Sequence, residues 1–239
     1  MNSAFYAANY STMVVVNSTV TFFDGTLGPA GTYQFLGNAT FYPIPASGLI
    51  IYAKGADLWV QGKVDGLVTV VADTTTVIPQ NATANGCLQP DGRIIVGADL
   101  TYAGGATAAS PGHAFAALAK NCIIFDYQVV SNHAAVGVYF IENLTWAKNV
   151  CVAFPPGFIN TILAYQWFKS GPTTGPCTGH PSTPPSPPRN FSLFGTSNIA
   201  PFYYLIFNGV RSLNYDSFLR AYQPPGLPEQ AYLVDFRLH

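Results

Sequence analysis

The sequence is poor in charge. Of 239 residues only 10 are Lys or Arg and 11 are Asp or Glu, 9% in all, against roughly 25% in an ordinary soluble domain. Ten basic side chains balanced to a net charge of -1 cannot build the broad basic footprint that neutralises nucleic-acid phosphates. Long apolar runs are missing as well. Runs such as Met13–Val16 and Tyr203–Phe207 are strand-sized, far short of the about 18 residues of a membrane-spanning helix. Histidine is limited to His113, His133, His180 and His239, with no readable Ser, His and acid set and no G-x-S-x-G elbow. The four cysteines include no C-x-x-C and have no His at ligand spacing, so a zinc site is not indicated. These absences lead us to expect no enzyme, no metal and no cofactor. Met1–Val20 has no basic segment ahead of an apolar one, so it does not read as a secretory signal. Because the remainder reads as secreted, the expectation is a leader or anchor that was removed or lies outside this chain.

What the chain does have is apolar and turn-forming. Hydrophobic residues make up 49% and aromatics 14%, with 22 Gly and 19 Pro. Disorder requires low hydrophobicity and high net charge, and neither is present. A chain of this length can bury a substantial core.

Two features point outside the cell. Asn-x-Ser/Thr acceptors stand at Asn9, Asn17, Asn38, Asn81, Asn143 and Asn190. Random placement of the 15 Asn and 33 Ser plus Thr gives about two such sites under the acceptor rule. The excess favours glycosylation, although Asn and Thr are also common in turns and strand edges. The even set Cys87, Cys122, Cys151 and Cys177 would pair outside a reducing cytosol. Similar local contexts around Cys122 and Cys151 suggest the pairs Cys122–Cys151 and Cys87–Cys177, out of three possible connectivities.

Short β-branched runs bounded by Gly, Pro, Asn or Asp dominate the chain, which is the strand signature. One segment, Pro156–Phe168, has Phe158, Ile162, Leu163 and Trp167 near a 3.6-residue period, and reads equally as a helix or as a strand over Ile162–Phe168. The expected class is all-β, with a β-solenoid core of parallel-β-helix type. Residues 1–46 read as an N-terminal β segment or assembly extension, with strands at Thr12–Val16, Thr19–Phe23, Thr32–Leu36 and Thr40–Tyr42. Residues 47–239 read as the solenoid domain. Its short strands are expected at Gly48–Ala53, Asp57–Val60, Gly66–Ala72, Thr75–Ile78, Gly92–Val96, Asp99–Tyr102, Ala114–Ala119, Cys122–Tyr127, Ala134–Phe140 and Thr145–Val152. Spacings of about 18 to 25 residues, as between the starts at Gly48 and Gly66, suit stacked coils. A Pro-rich loop spans 169–190, and an aromatic-rich cap spans 202–239.

The order of several segments resembles a known family. Gly48-Leu-Ile-Ile-Tyr-Ala-Lys-Gly-Ala-Asp-Leu-Trp-Val-Gln-Gly62 is followed by Val64-Asp-Gly-Leu-Val-Thr-Val-Val-Ala72 and Gly97-Ala-Asp-Leu-Thr-Tyr102. Ala117-Leu-Ala-Lys-Asn121 and Leu193-Phe-Gly-Thr-Ser-Asn-Ile-Ala200 come next, and Asn214-Tyr-Asp-Ser-Phe-Leu-Arg220 and Gln223-Pro-Pro-Gly-Leu-Pro228 close the series. Over about residues 48–238 the pattern resembles a β-solenoid domain attached to type IV pilin-like surface proteins of bacteria. The family's N-terminal pilin helix has no counterpart here, and Phe218 stands where its closing motif carries Arg. The resemblance implies a solenoid fold and a surface location.

Candidate sites follow from these readings. Asp57, Asp73 and Asp99 each flank a coil; paired carboxylates could serve glycoside chemistry, but Asp at such positions more commonly closes turns through its own backbone. Asp216 and Arg220 could form an ion pair that locks the cap. Tyr203, Tyr204, Tyr215, Phe218 and Tyr222 are candidates for capping, subunit docking or ligand binding. Met13, Val14, Val15, Val16, Val20 and Phe22 form a candidate assembly strand, able to complete a sheet edge in a neighbour or to pair within the chain. The expected function is an extracellular structural protein: a subunit of a cell-surface filament or a pilus-associated module. Its partners would be copies of itself or other filament subunits. A surface adhesin binding glycan or DNA is the alternative, and a polysaccharide-active enzyme the third reading.

Overall fold

A computed structural model describes residues 13–16, 19–74, 91–125, 132–141, 190–197, 211–214 and 216–227. They form an all-β structure with thirteen strands in one curled, mixed sheet. Among the described residues there is no α-helix, only 3₁₀ turns at Ala103–Gly105 and Ser217–Arg220. None of their helical segments is long and apolar enough to cross a membrane.

The strands fall into two parallel runs. One contains β1 (Met13–Val16), β5 (Leu49–Lys54), β7 (Leu67–Asp73) and β9 (Ala114–Ala119). The other contains β2 (Thr19–Phe23), β6 (Leu58–Val64), β8 (Arg93–Tyr102) and β10 (Cys122–Phe125). The chain alternates between the runs, so each strand pairs with one a full circuit away. The shortest circuit sets Leu49 beside Val68. The long strand β11 (Asn132–Ile141) joins them, meeting β8 at Ala135 and β9 over Val138–Ile141. β12 (Asn190–Ser197) pairs β11 in parallel, and β13 (Arg211–Asn214) pairs β12. The antiparallel part is an N-terminal hairpin: β3 (Thr32–Phe35) lies on the outer edge of β2, and β4 (Tyr42–Pro43) lies on β3.

In-register pairing places like side chains in rows. Ile51, Val70, Ala117 and Tyr139 share one row, and Leu49, Val68 and Phe115 another. All seven are buried in the main core. Phe22 from the other run meets Phe115 edge-on, with ring centroids 6.2 Å apart, so the two runs enclose a common interior. Burying a Val, Leu, Ile or Phe contributes about 1.5–3 kcal/mol each, and repetition of that gain along the rows holds the strands in register. The opposite face of β5, β7 and β9 is buried too. Ile50, Tyr52, Val71 and Leu118 form a second cluster there, with Leu227 packed over it. Burial on both faces explains why Leu49–Ala53 and Ala114–Ala119 are buried without alternation.

Two glycines turn strands where a side chain has no room. Gly62 in β6 and Gly137 in β11 have φ of 106° and 109°. A Cβ at Gly62 would run into the Phe22 carbonyl oxygen, and one at Gly137 into that of Phe115. The backbones of adjacent layers therefore approach closely at these bends.

The N-terminal strands belong to the same sheet as the rest: β1 pairs β5 and β2 pairs β6. The segment Pro156–Phe168, residues 169–189 of the Pro-rich loop, and the strands expected at Thr75–Ile78 and Thr145–Val152 lie outside the described residues. The segments expected at Gly92–Val96 and Asp99–Tyr102 are one bent strand, β8.

Candidate functional site

Outward-facing positions of the second run carry a row of half-buried and exposed polar groups. In β6 the buried residues Leu58, Val60 and Val64 alternate with Trp59, Gln61 and Lys63, which are not buried. β2 and β8 contribute Thr21, Asp99 and Thr101 from equivalent positions. The ladder between β6 and β8 is irregular at this point. Val60 pairs Val96 and Gly62 pairs Leu100, so Gln61 alone stands opposite Gly97, Ala98 and Asp99. A bulge bends its strand and opens space beside it. The result is a hollow of about 490 Å³ lined by Thr21, Asp24, Gln61, Lys63, Asp99 and Thr101, with Phe23 and Leu27 on its apolar side.

Asp24 fixes one wall. Its Oδ1 accepts from Thr26 N at 3.2 Å and Thr26 Oγ1 at 2.7 Å. Its Oδ2 lies 3.1 Å from Lys63 Nζ and accepts from Gly104 N at 3.3 Å. The carboxylate thus ties the end of β2 to β6 and to the turn after β8. The Thr26 hydroxyl and then the Lys63 ammonium hold its pKa down at about 2.

Other polar groups serve the fold. Asp57 takes Arg93 N at 3.1 Å and grips the Arg93 guanidinium through Nε and Nη2. Asp73 accepts from Thr74 N at 2.8 Å and from the Tyr52 hydroxyl. Asp99 accepts from Ala134 N at 2.8 Å. All three join neighbouring layers or close corners, as turn residues do. His113 Nδ1 lies 3.3 Å from Asp65 Oδ1. Among the described residues no three His, Cys, Asp or Glu side chains gather as a metal site. Tyr139 is buried and donates to Val136 O at 2.8 Å. Burial raises the pKa of both Tyr102 and Tyr139 above the ordinary tyrosine value.

The C-terminal segment runs along the side of the sheet. Asp216 is buried and accepts from Ala109 N at 2.6 Å and from Phe218 N at 3.0 Å, so it caps the turn Ser217–Arg220. Phe218 is exposed and stacks on Tyr222 with centroids 6.4 Å apart. Thr69 Oγ1 donates to Pro225 O, and Pro225 covers Gly48. Arg220 occupies the last position of the turn. Tyr203, Tyr204 and Tyr215 lie outside the described residues.

The candidate assembly residues Met13, Val14, Val15 and Val16 form β1 on the edge of β5, and Val20 and Phe22 are buried in the chain's own core. Of the acceptor asparagines, Asn38 sits in a turn, where Oδ1 accepts from Thr40 N at 2.9 Å and Nδ2 donates to Tyr42 Oη at 3.0 Å. Asn190 opens β12. Asn9, Asn17, Asn81 and Asn143 lie outside the described residues, as do Cys87, Cys151 and Cys177; only the Cys122 backbone, in β10, is described. The hollow at Gln61 has one trace in the sequence, the period-2 pattern of Trp59, Gln61 and Lys63 between apolar neighbours, and that pattern by itself does not single out a site.

No protein-family model, curated protein or solved structure matches the chain.

Proposed function

We propose that the chain is a β-solenoid module of an extracellular assembly, acting as a structural part of a cell-surface filament or of a pilus-associated complex. The observation that carries this reading is the in-register parallel ladder, which ends at β1 without a further strand partner among the described residues. An unpaired edge presents a row of backbone donors and acceptors that another chain can complete. The opposite run ends differently, because β3 covers β2. A second contact is available in the exposed Phe218–Tyr222 stack, since aromatic pairs anchor docking surfaces. Asn38 on an exposed hairpin turn suits a sugar-bearing surface. Non-catalytic service is part of the proposal.

The test is sedimentation of the full chain beside Val15→Lys, which sets a charge on the edge strand, and a Phe218→Ser/Tyr222→Ser double variant. The proposal expects multimers in the parent chain and smaller species in both variants, with unchanged circular dichroism. A parent chain that stays monomeric at all concentrations contradicts it.

A further inference from the structure

The hollow beside the bulge of β8 has hydrogen-bonding capacity that the fold does not use. The side chains of Thr21, Gln61 and Thr101 make no hydrogen bond among the described residues, although Thr26, Asp24 and Lys63 on the same rim are paired. Asp99 spends Oδ1 on Ala134 N and has a second oxygen to offer. A volume of about 490 Å³ falls within the usual range of about 300–1,000 Å³ for small-molecule clefts.

Aromatic surface adjoins these groups. Trp59 is 39% exposed. Its Cε3 and the Gln61 Oε1 lie 3.3 Å and 3.2 Å from the point where a Cβ on Gly97 would stand. The indole edge and the amide therefore lie side by side over the Gly97 backbone, where a side chain would displace them. Leu27, 80% exposed, lines the hollow.

We infer that this hollow binds a neutral saccharide chain that continues past Gln61 onto the adjoining Trp59, with Leu27 in the hollow and Trp59 beside it against the C–H faces of the sugar rings, and Gln61, Thr21, Thr101 and Asp99 on the hydroxyls. Competing ligand classes fit less well. The rim carries two carboxylates, Asp24 and Asp99, against one ammonium, Lys63, which Asp24 pairs, so it offers no attraction for a polyanion. A peptide that adds as a strand needs a free backbone edge, but β6 is flanked by β2 on one side and by β8, on either side of the bulge, on the other. A purely apolar ligand would desolvate four polar groups without replacing their bonds to water. A polyol meets both requirements, offering apolar ring faces and hydroxyls that donate and accept. The inference rests on the hollow and the adjoining Trp59 and does not depend on assembly.

The test is calorimetric titration of the full chain with cellohexaose, maltohexaose and N-acetylated chitohexaose. A hexamer of galacturonate and an uncharged hexapeptide serve as comparators. At least one neutral sugar is expected to bind with a Kd below about 1 mM. Gln61→Ala, Thr101→Val and Trp59→Ala should each weaken it about tenfold, with melting temperature unchanged for Thr101→Val. Should Gln61→Ala or Trp59→Ala melt early, Gln61→Met and Trp59→Phe read the same contacts conservatively. The inference is overturned if no neutral sugar binds at about 10 mM. It is equally overturned if a comparator binds more tightly than all three sugars, or if folded variants keep the parent affinity.

Discussion

Gly62 and Gly137 show how single residues set the close approach of layers. Each has positive φ, and at each a Cβ would collide with a neighbouring carbonyl oxygen. Gly55 shares the positive φ, 64°, but a Cβ there would meet nothing within 4 Å. Gly62→Ala should therefore cost about 2–4 kcal/mol, from strain plus displaced backbone, and Gly55→Ala only about 1 kcal/mol. Urea unfolding of the two variants measures the difference. Asp24 adds a pH signature. Its folded pKa, about 2, lies below the ordinary aspartate value of 3.8, so its stabilising contribution is complete above the unfolded value. That contribution is lost as pH falls from about 4 toward 2. In Asp24→Asn the acid limb of the stability profile should flatten over this window, which denaturant titrations at stepped pH will detect.

At the scale of elements, strands are the legible part. β2, β5, β7 and β9 coincide closely with runs of β-branched and apolar residues between Gly, Asn and Asp. Pattern alone does not show the continuation of β6 through Gly62 to Val64, because a glycine inside a run reads as a break until its neighbour's backbone is seen. The bulge opposite Gln61 is illegible for the same reason: it is a property of the pairing between β6 and β8, and of neither strand alone. The C-terminal segment reads from its composition as aromatic covering. Its described part contacts the sheet through Leu219, Pro225 and Leu227, while Phe218 faces solvent. Leu227→Asp should uncover Ile50, Tyr52, Val71 and Leu118 and cost about 1–3 kcal/mol. Thermal melting together with binding of a hydrophobic dye will register both effects.

For the whole molecule, the low charge acquires a structural counterpart. A sheet buried on both faces over β5, β7 and β9 uses apolar side chains on inner and outer positions alike, leaving few places for Lys and Glu. In the proposed assembly, sugars on asparagine and coverage by neighbours would supply the solubility that charge supplies elsewhere. The most direct measurement is electron microscopy of the native material, with a power spectrum taken along any filament. Edge-to-edge continuation of the parallel ladder predicts filaments with a layer line at about 4.8 Å along the axis, the spacing of adjacent strands. Dispersed single particles, or filaments lacking that line, would contradict the account.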